Sequence, residues 1–347
     1  MSETDSVIYS GFFRCKGLSF LRAHDDHNDI IDAAIKDFWR NPPQQLTHRT
    51  YEHEGHTIHV HIDWRPFLRN LNRLATLFDT SQENNKYSSA EKWLKKVISP
   101  VKFKSSVSIK DKIRDNQLRV QPHFFLEMFI HEVFLIANLS VPGSVSFRGS
   151  VDQGRFSSEI TLDGSVFELA WMHALDGRWP ANEALSRQDV LGWFKSLNLS
   201  CKQLPESGIE KALYALLHIA KNDQQIESIV WIFHGLEGLV SSNPGGNFSA
   251  MIRRLSAILD LKSSQQKILK KRLTEMYQMR SAFVHGGYAV PHPLCNEVVD
   301  KRLDDQLGKL YGLITFGVAL LVATLQVLIK KQIVKLQFEE RILTTTT

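Results

Sequence analysis

Cysteine is scarce in this chain of 347 residues. Its three copies, Cys15, Cys201 and Cys295, lie far apart and form no C-x-x-C pair. So odd and scattered a set excludes a disulfide framework and points to a reducing compartment. An apolar leader is also missing: MSETDSVIYSGFF opens acidic and polar, so the start does not read as a secretory signal peptide. Internal repeats are absent, and low complexity is confined to the Thr344–Thr347 tail. With 43% hydrophobic and 23% charged residues, the composition is that of a globular protein and excludes gross disorder.

Charge is not spread evenly. Residues 251–347 carry 15 Lys+Arg against 8 Asp+Glu, a balance of +7, which leaves −2 on residues 1–250 out of a total of +5. A polyanion would therefore dock on the C-terminal part, although basic helices are also common as plain solvated faces.

The first 200 residues mix both periodicities. Ile30 to Trp39 reads as a short helix started by the polar cluster HDDHND. HTIHVHIDW alternates strictly, with Ile58, Val60 and Ile62 on one face and His59, His61 and Asp63 on the other, as a half-buried strand does. Five histidines fall between His48 and His61, and two of them with Asp63 have the chemistry to ligate zinc. No helical His-Glu pair or cysteine completes such a site, so the expectation is an imidazole-lined solvent face, with no metal and no cofactor. Residues 80–118, polar and lysine-rich, read as surface helices and loops. Phe124 to Ala137 is apolar almost all round and reads as a buried helix ended by Pro142-Gly143. A hairpin is expected in SSEITLDGSVFELAW, with Asp163-Gly164 as its turn. Ser186-x-x-Asp189 then starts a helix through Leu197.

NLSCKQLPESG (198–208) is the best linker candidate, which divides the chain into a domain over 1–200 and a helical one over 205–347. The fold class expected is α+β, with a mixed first domain and an all-α second. Helices are expected over Ile209–Lys221, Gln224–Val240, Phe248–Leu259, Ser263–Val284 and Asp304 to about Lys335, with SSNPGGN as a loop. Within the last of these, Leu310–Ile329 is twenty residues without a charge. That length meets the threshold of a membrane span. Thr315, Thr324, Gln326, Gly312 and Gly317 fit the centre of a bundle or dimer better, so a buried helix in a cytoplasmic protein is the expectation. Its uncharged faces also predict a homodimer through the C-terminal bundle.

On a helical wheel of Ser263–Val284, Leu269, Leu273, Met276, Phe283 and Val284 form one stripe, and Arg280 lies in its middle. A guanidinium keeps its proton in a protein, so its burial needs an anion or a functional reason. Glu237 is the only charged residue between Glu227 and Arg253, and pairs naturally with it. His285 follows five positions later, about 140° round a regular helix, and Gly286-Gly287 ends the helix beside it.

RSAFVHGG resembles the R-x-x-x-x-H signature of the HEPN superfamily (higher eukaryotes and prokaryotes nucleotide-binding), and within it the ApeA-like group. LEGLV with Glu237, and MIRRLSAIL, resemble the preceding helices of that domain; the likeness covers about 205–335. It implies a helical bundle that pairs with a second copy and, in many members, a metal-independent endoribonuclease acting on RNA. Carried over, His285 moves the proton of the 2′-OH or of the leaving oxygen, and Arg280 stabilises charge on the phosphorane. Glu237, Ser281 and Tyr288 are supporting positions. Ser281 stands where active members often have Asn, Asp or His. Tyr288 comes three residues after the histidine, where relatives modified by nucleotidyltransferase antitoxins carry a tyrosine two after it. The resemblance further implies a role in antiphage defence or stress response, with the first domain sensing or gating in answer to a regulatory protein or phage-derived trigger. The other reading is a non-catalytic dimerisation or binding module whose first domain binds a ligand or partner.

Overall fold

The structure, a computed structural model, describes residues 6–16, 27–53, 56–69, 71, 98–108, 122–152, 157–199, 201–221, 225–240, 248–296 and 298–338. The expectations for 80–97, 109–118, the SSNPGGN loop and the threonine tail lie outside these residues. The chain belongs to the α+β class. It divides into two compact units, Met1–Gln203 with Ala220–Asp223, and Leu204–Ile219 with Gln224–Thr347.

The first unit is built on a six-stranded antiparallel sheet of order β2-β3-β4-β1-β5-β6. Its strands are β1 (Ser6–Lys16), β2 (His48–His53), β3 (His56–Asp63), β4 (Ile98–Ser108), β5 (Ser146–Asp152) and β6 (Ser157–Leu162). Helices α1 (Asn28–Trp39) and the single turn α2 (Gln44–Thr47) lie between β1 and β2. Alternation in β3 does what its pattern requires. Ile58, Val60 and Ile62 are buried while His59 is exposed. Helix α3 (Pro122–Ser140) packs against β3, β4, β5 and β6, and its apolar circumference is spent on that sheet and on α5 (Arg187–Leu197). A cluster of Phe38, Trp39, Trp64 and Phe67 closes the core, with the Trp64 indole Nε1–H donating to the Leu46 carbonyl at 2.8 Å.

Two expectations are corrected here. Ile98–Ser108 is an inner strand of the sheet and not part of a run of surface helices and loops. Val101, Phe103 and Val107 alternate with Lys102, Lys104 and Ser106, a period of two that lysine content disguises. Asp163-Gly164 is not a hairpin turn: β5 pairs with β6, and the dipeptide joins β6 to helix α4 (Ser165–Leu175). Asp163 Oδ1 accepts the Ser165 amide at 3.0 Å and the Ser146 hydroxyl at 3.2 Å, and SVFELAWMHAL proceeds at helical spacing.

The fully buried Asn138 locks the end of α3. Its amide donates to the Phe134 and Val145 carbonyls at 3.0 and 3.1 Å and its oxygen accepts the Gly143 amide at 2.9 Å. Earlier on the same helix, burial and then the charge of Lys221 lower the pKa of His131 to about 4. The described elements of the second unit are all helices: α6 (Gly208–Lys221), α7 (Glu227–Val240), α8 (Phe248–Ile258), α9 (Ser263–Val284) and α10 (Arg302–Lys330). The last turn of α6 groups with the first unit. Helix α10 is the core of the second. In its most apolar window 89% of residues are buried, among them Val318, Leu320, Leu321, Val322, Leu325 and Leu328 at 0% exposure. The apolar surface that predicted a homodimer is therefore already covered within one chain. Burial of this helix does not call for a second copy.

The His131 shift carries a pH dependence. Its folded pKa lies below the unfolded value near 6.5, so the unfolded chain takes up the proton first and stability is lost as pH falls from about 6.5 to about 4. Burial raises the Glu132 pKa, which acts in the opposite sense. Urea titrations of wild type and His131→Gln across this range isolate the histidine: the variant is expected to lose less stability on acidification. Parallel pH profiles would contradict the assignment.

Candidate active site at the end of α9

Helix α9 starts where the Lys262 amide donates to Gln265 Oε1 at 3.0 Å. Leu269, Leu273 and Met276 carry its apolar stripe and are fully buried. The stripe points at α10, α8 and α7. Gly317 of α10 makes room: a Cβ there would come within 2.7 Å of the Met276 methyl and 2.8 Å of Ile232 of α7. This close approach sets α9 beside the face of α7 that carries Phe233 and, one turn on, Glu237.

Arg280 continues the stripe into that face. Its Nη1 lies 3.5 Å from Glu237 Oε1, and its guanidinium carbon 5.4 Å from the Phe233 ring centroid. The pair forms, but it is not buried: the two side chains are 32% and 42% exposed. The reason is positional, because the stripe runs out here. Phe283 is only half-buried and Val284 is 61% exposed, so Val284 does not belong to the packed face. A long, half-exposed ion pair contributes at most about 1 kcal/mol, and an exposed cation–ring contact about 0.5–1 kcal/mol. Five N–H donors sit on the guanidinium and one contact to Glu237 holds it, which leaves donors for an anion.

The helix then stops as its glycines require. The His285 amide donates to the Ser281 carbonyl at 3.0 Å, and the Gly287 and Tyr288 amides to the Ala282 carbonyl at 2.7 and 3.0 Å. Gly286 takes φ +76°, the left-handed region that favours glycine. His285 is exposed, and its ring has no hydrogen-bond partner among the described residues. Ser281 is half-buried. Tyr288 turns back so that its ring meets Phe283 edge-on at 6.2 Å, and its hydroxyl is buried without a partner among the described residues. The structure thus brings Glu237 and Arg280 together and sets Ser281, His285 and Tyr288 along one helix end. It does not join Arg280 to His285 by any bond.

Sequence reasoning missed the Phe233 ring, since nothing in the spacing of α7 says which residue lies under a cation 47 positions later. It also missed His218, whose ring stacks on Trp231 at 3.8 Å, with His234 edge-on to the same indole. A shallow cleft of about 400 Å³ lined by Arg253, Ser256, Asp260 and Gln266 lies at the other end of α9. Gln266 is about 21 Å from Arg280 along the helix. Across β2 and β3, the His48 and His61 rings meet at 4.3 Å, tilted by 36°, and burial followed by the His61 charge lowers the His48 pKa. The nearby Asp63 carboxylate is engaged by Arg65 at 2.8 Å, which holds its pKa at about 2. Among the described residues no three His, Cys, Asp or Glu side chains group to hold a metal ion. Comparison with family models, with curated proteins and with solved structures returned no match.

Half-exposure of the Arg280–Glu237 pair has an energetic consequence. Arg280→Ala and Glu237→Ala are each expected to cost no more than about 1–2 kcal/mol in urea unfolding. A loss of about 3–5 kcal/mol, the range of a broken buried pair, would show that the contact carries the bundle.

Proposed function

We propose that the protein is a metal-independent endoribonuclease of HEPN type, with Arg280 and His285 as its reacting groups. The resemblance of RSAFVHGG to the family signature supports this reading. The observation that carries it is Arg280 itself, a permanent cation at the end of an apolar stripe, held by one long contact to Glu237 and open over a third of its surface. In the reaction the 2′-oxygen attacks the adjacent phosphorus, the bond from phosphorus to the 5′-oxygen breaks, and a 2′,3′-cyclic phosphate remains. A proton leaves the 2′-OH and one is delivered to the 5′-oxygen; His285 moves them. Arg280 meets the charge that builds on the phosphorane oxygens.

Two side chains about 140° apart on one helix do not converge on one phosphate by themselves. The site is therefore composite, formed between two copies in a homodimer. Residues 1–200 sense or gate, answering a regulatory protein or a phage-derived trigger in antiphage defence or stress response, in the cytoplasm. The same angular separation favours a second reading, in which the helical unit is a non-catalytic dimerisation or binding module and the first unit binds a ligand or partner.

Purified protein is expected to cut unstructured RNA in EDTA and leave 2′,3′-cyclic ends. His285→Ala is expected to keep the wild-type circular dichroism and midpoint, because the residue is exposed at a helix end, and to cut about 10²–10⁴-fold more slowly. A folded His285→Ala protein that cuts at the wild-type rate, or a wild type that does not cut, leaves the module reading in place.

A further inference from the structure

The face of α9 opposite its core stripe carries a second pattern. At 100° per residue Lys267 and His285 fall at the same angle, with Lys271 and Gln278 within about 40° and Lys270 about 60° to one side. All five are exposed. Among the described residues none of the three lysines forms an ion pair, whereas Arg272, off this face, is paired with Glu275 at 3.1 Å. Thr274 and Ser281 complete the face; the exposed aliphatic side chains of this helix, Ile268 at 43% and Val284 at 61%, lie outside it, about 100° to either side. Two turns on from Lys270, on the same side of the helix, stands Tyr277, 46% exposed, its ring braced edge-on by Phe233 at 6.2 Å and tilted against Phe248 at 5.3 Å. A row of unpaired cations with a held, half-open aromatic is the arrangement that tracks a single-stranded backbone and stacks a base. A membrane surface would instead require apolar anchors beside the lysines.

We infer that the solvent face of α9 is a track for single-stranded RNA, with Lys267, Lys270 and Lys271 on phosphates, Tyr277 under a base, and the strand leading to His285. The track is about 27 Å long, the length of about eight stacked nucleotides at ~3.4 Å each. It rests on the ribonuclease reading for the nature of the polyanion and is tested apart from cleavage.

The probe is a 2′-O-methyl oligouridylate of about 16 nucleotides, which lacks the reacting hydroxyl. Binding to the full chain is measured against salt. Replacing all three lysines by alanine is expected to lower the slope of log K on log salt by about 2, at about 0.7 per phosphate. The triple arginine variant keeps the wild-type slope. Tyr277→Leu weakens binding with the slope unchanged, which a structural role for the lysines would not produce. An unchanged slope in the triple alanine variant overturns the track, as does a wild type that does not bind. So does lysine-dependent binding to phosphatidylserine vesicles in preference to the oligonucleotide. Cleavage of natural RNA is scored separately: a lowered slope with no cleavage upholds the track and removes the ribonuclease, and cleavage with an unchanged slope does the reverse.

Discussion

The second unit depends on how closely α7 and α9 approach α10. Gly317 lets the Met276 methyl and the Ile232 side chain into the space that a Cβ would take. Gly235 of α7 does the same for Leu321, to which a Cβ would approach within 3.0 Å. With α10 so covered, α9 lies in one azimuth, with Leu269, Leu273 and Met276 inward. That azimuth has two consequences. It delivers Arg280 to Phe233 and Glu237, and it turns the three lysines and His285 outward. Packing in the core thus decides which side chains of one helix meet a neighbouring helix and which meet solvent.

The same constraint answers the ambiguity of Leu310–Ile329. Length and composition meet the threshold of a membrane span, and its burial inside the helical unit accounts for the same pattern. Thr324, fully buried, donates its hydroxyl to the Leu320 carbonyl at 2.7 Å, so a polar residue is carried in this core without an outside partner. In the segment after α9, by contrast, Val290, Leu294, Val298 and Val299 are at least 68% exposed.

Much of this architecture was legible in the sequence where one period dominated. The strand at HTIHVHIDW, the helix through Phe124–Ala137 and the five helices after residue 205 follow from spacing and breakers, although the last of them ends at Lys330 and not at about Lys335. Legibility failed where two signals overlapped. Ile98–Ser108 hides its alternation behind lysines and serines. Asp163-Gly164 suits a strand-to-helix junction as well as a hairpin, and only the pairing of β5 with β6 decides between them. Val284 reads as part of the stripe by angle, but it lies beyond the point where α7 and α10 cover α9. Of the candidate site, the Glu237–Arg280 pair was legible because each is a lone charge in an apolar stretch. Its half-exposed state was not, since a wheel gives direction and says nothing of where along its axis a helix leaves the core.

Arg280 and His285 belong to different sides of one helix, and the proposed chemistry needs them at one phosphate. The proposed site shared between two copies would reconcile these facts, each copy supplying what the other's geometry lacks. Mixing tests it most directly. Arg280→Ala and His285→Ala proteins, each expected to cut far more slowly alone, are combined under conditions that exchange subunits, and RNA cleavage is followed. The account predicts that activity returns, because a mixed dimer holds one site with the arginine of one copy and the histidine of the other. Subunit exchange confirmed by a size or fluorescence readout, with no recovery of cleavage, would contradict it.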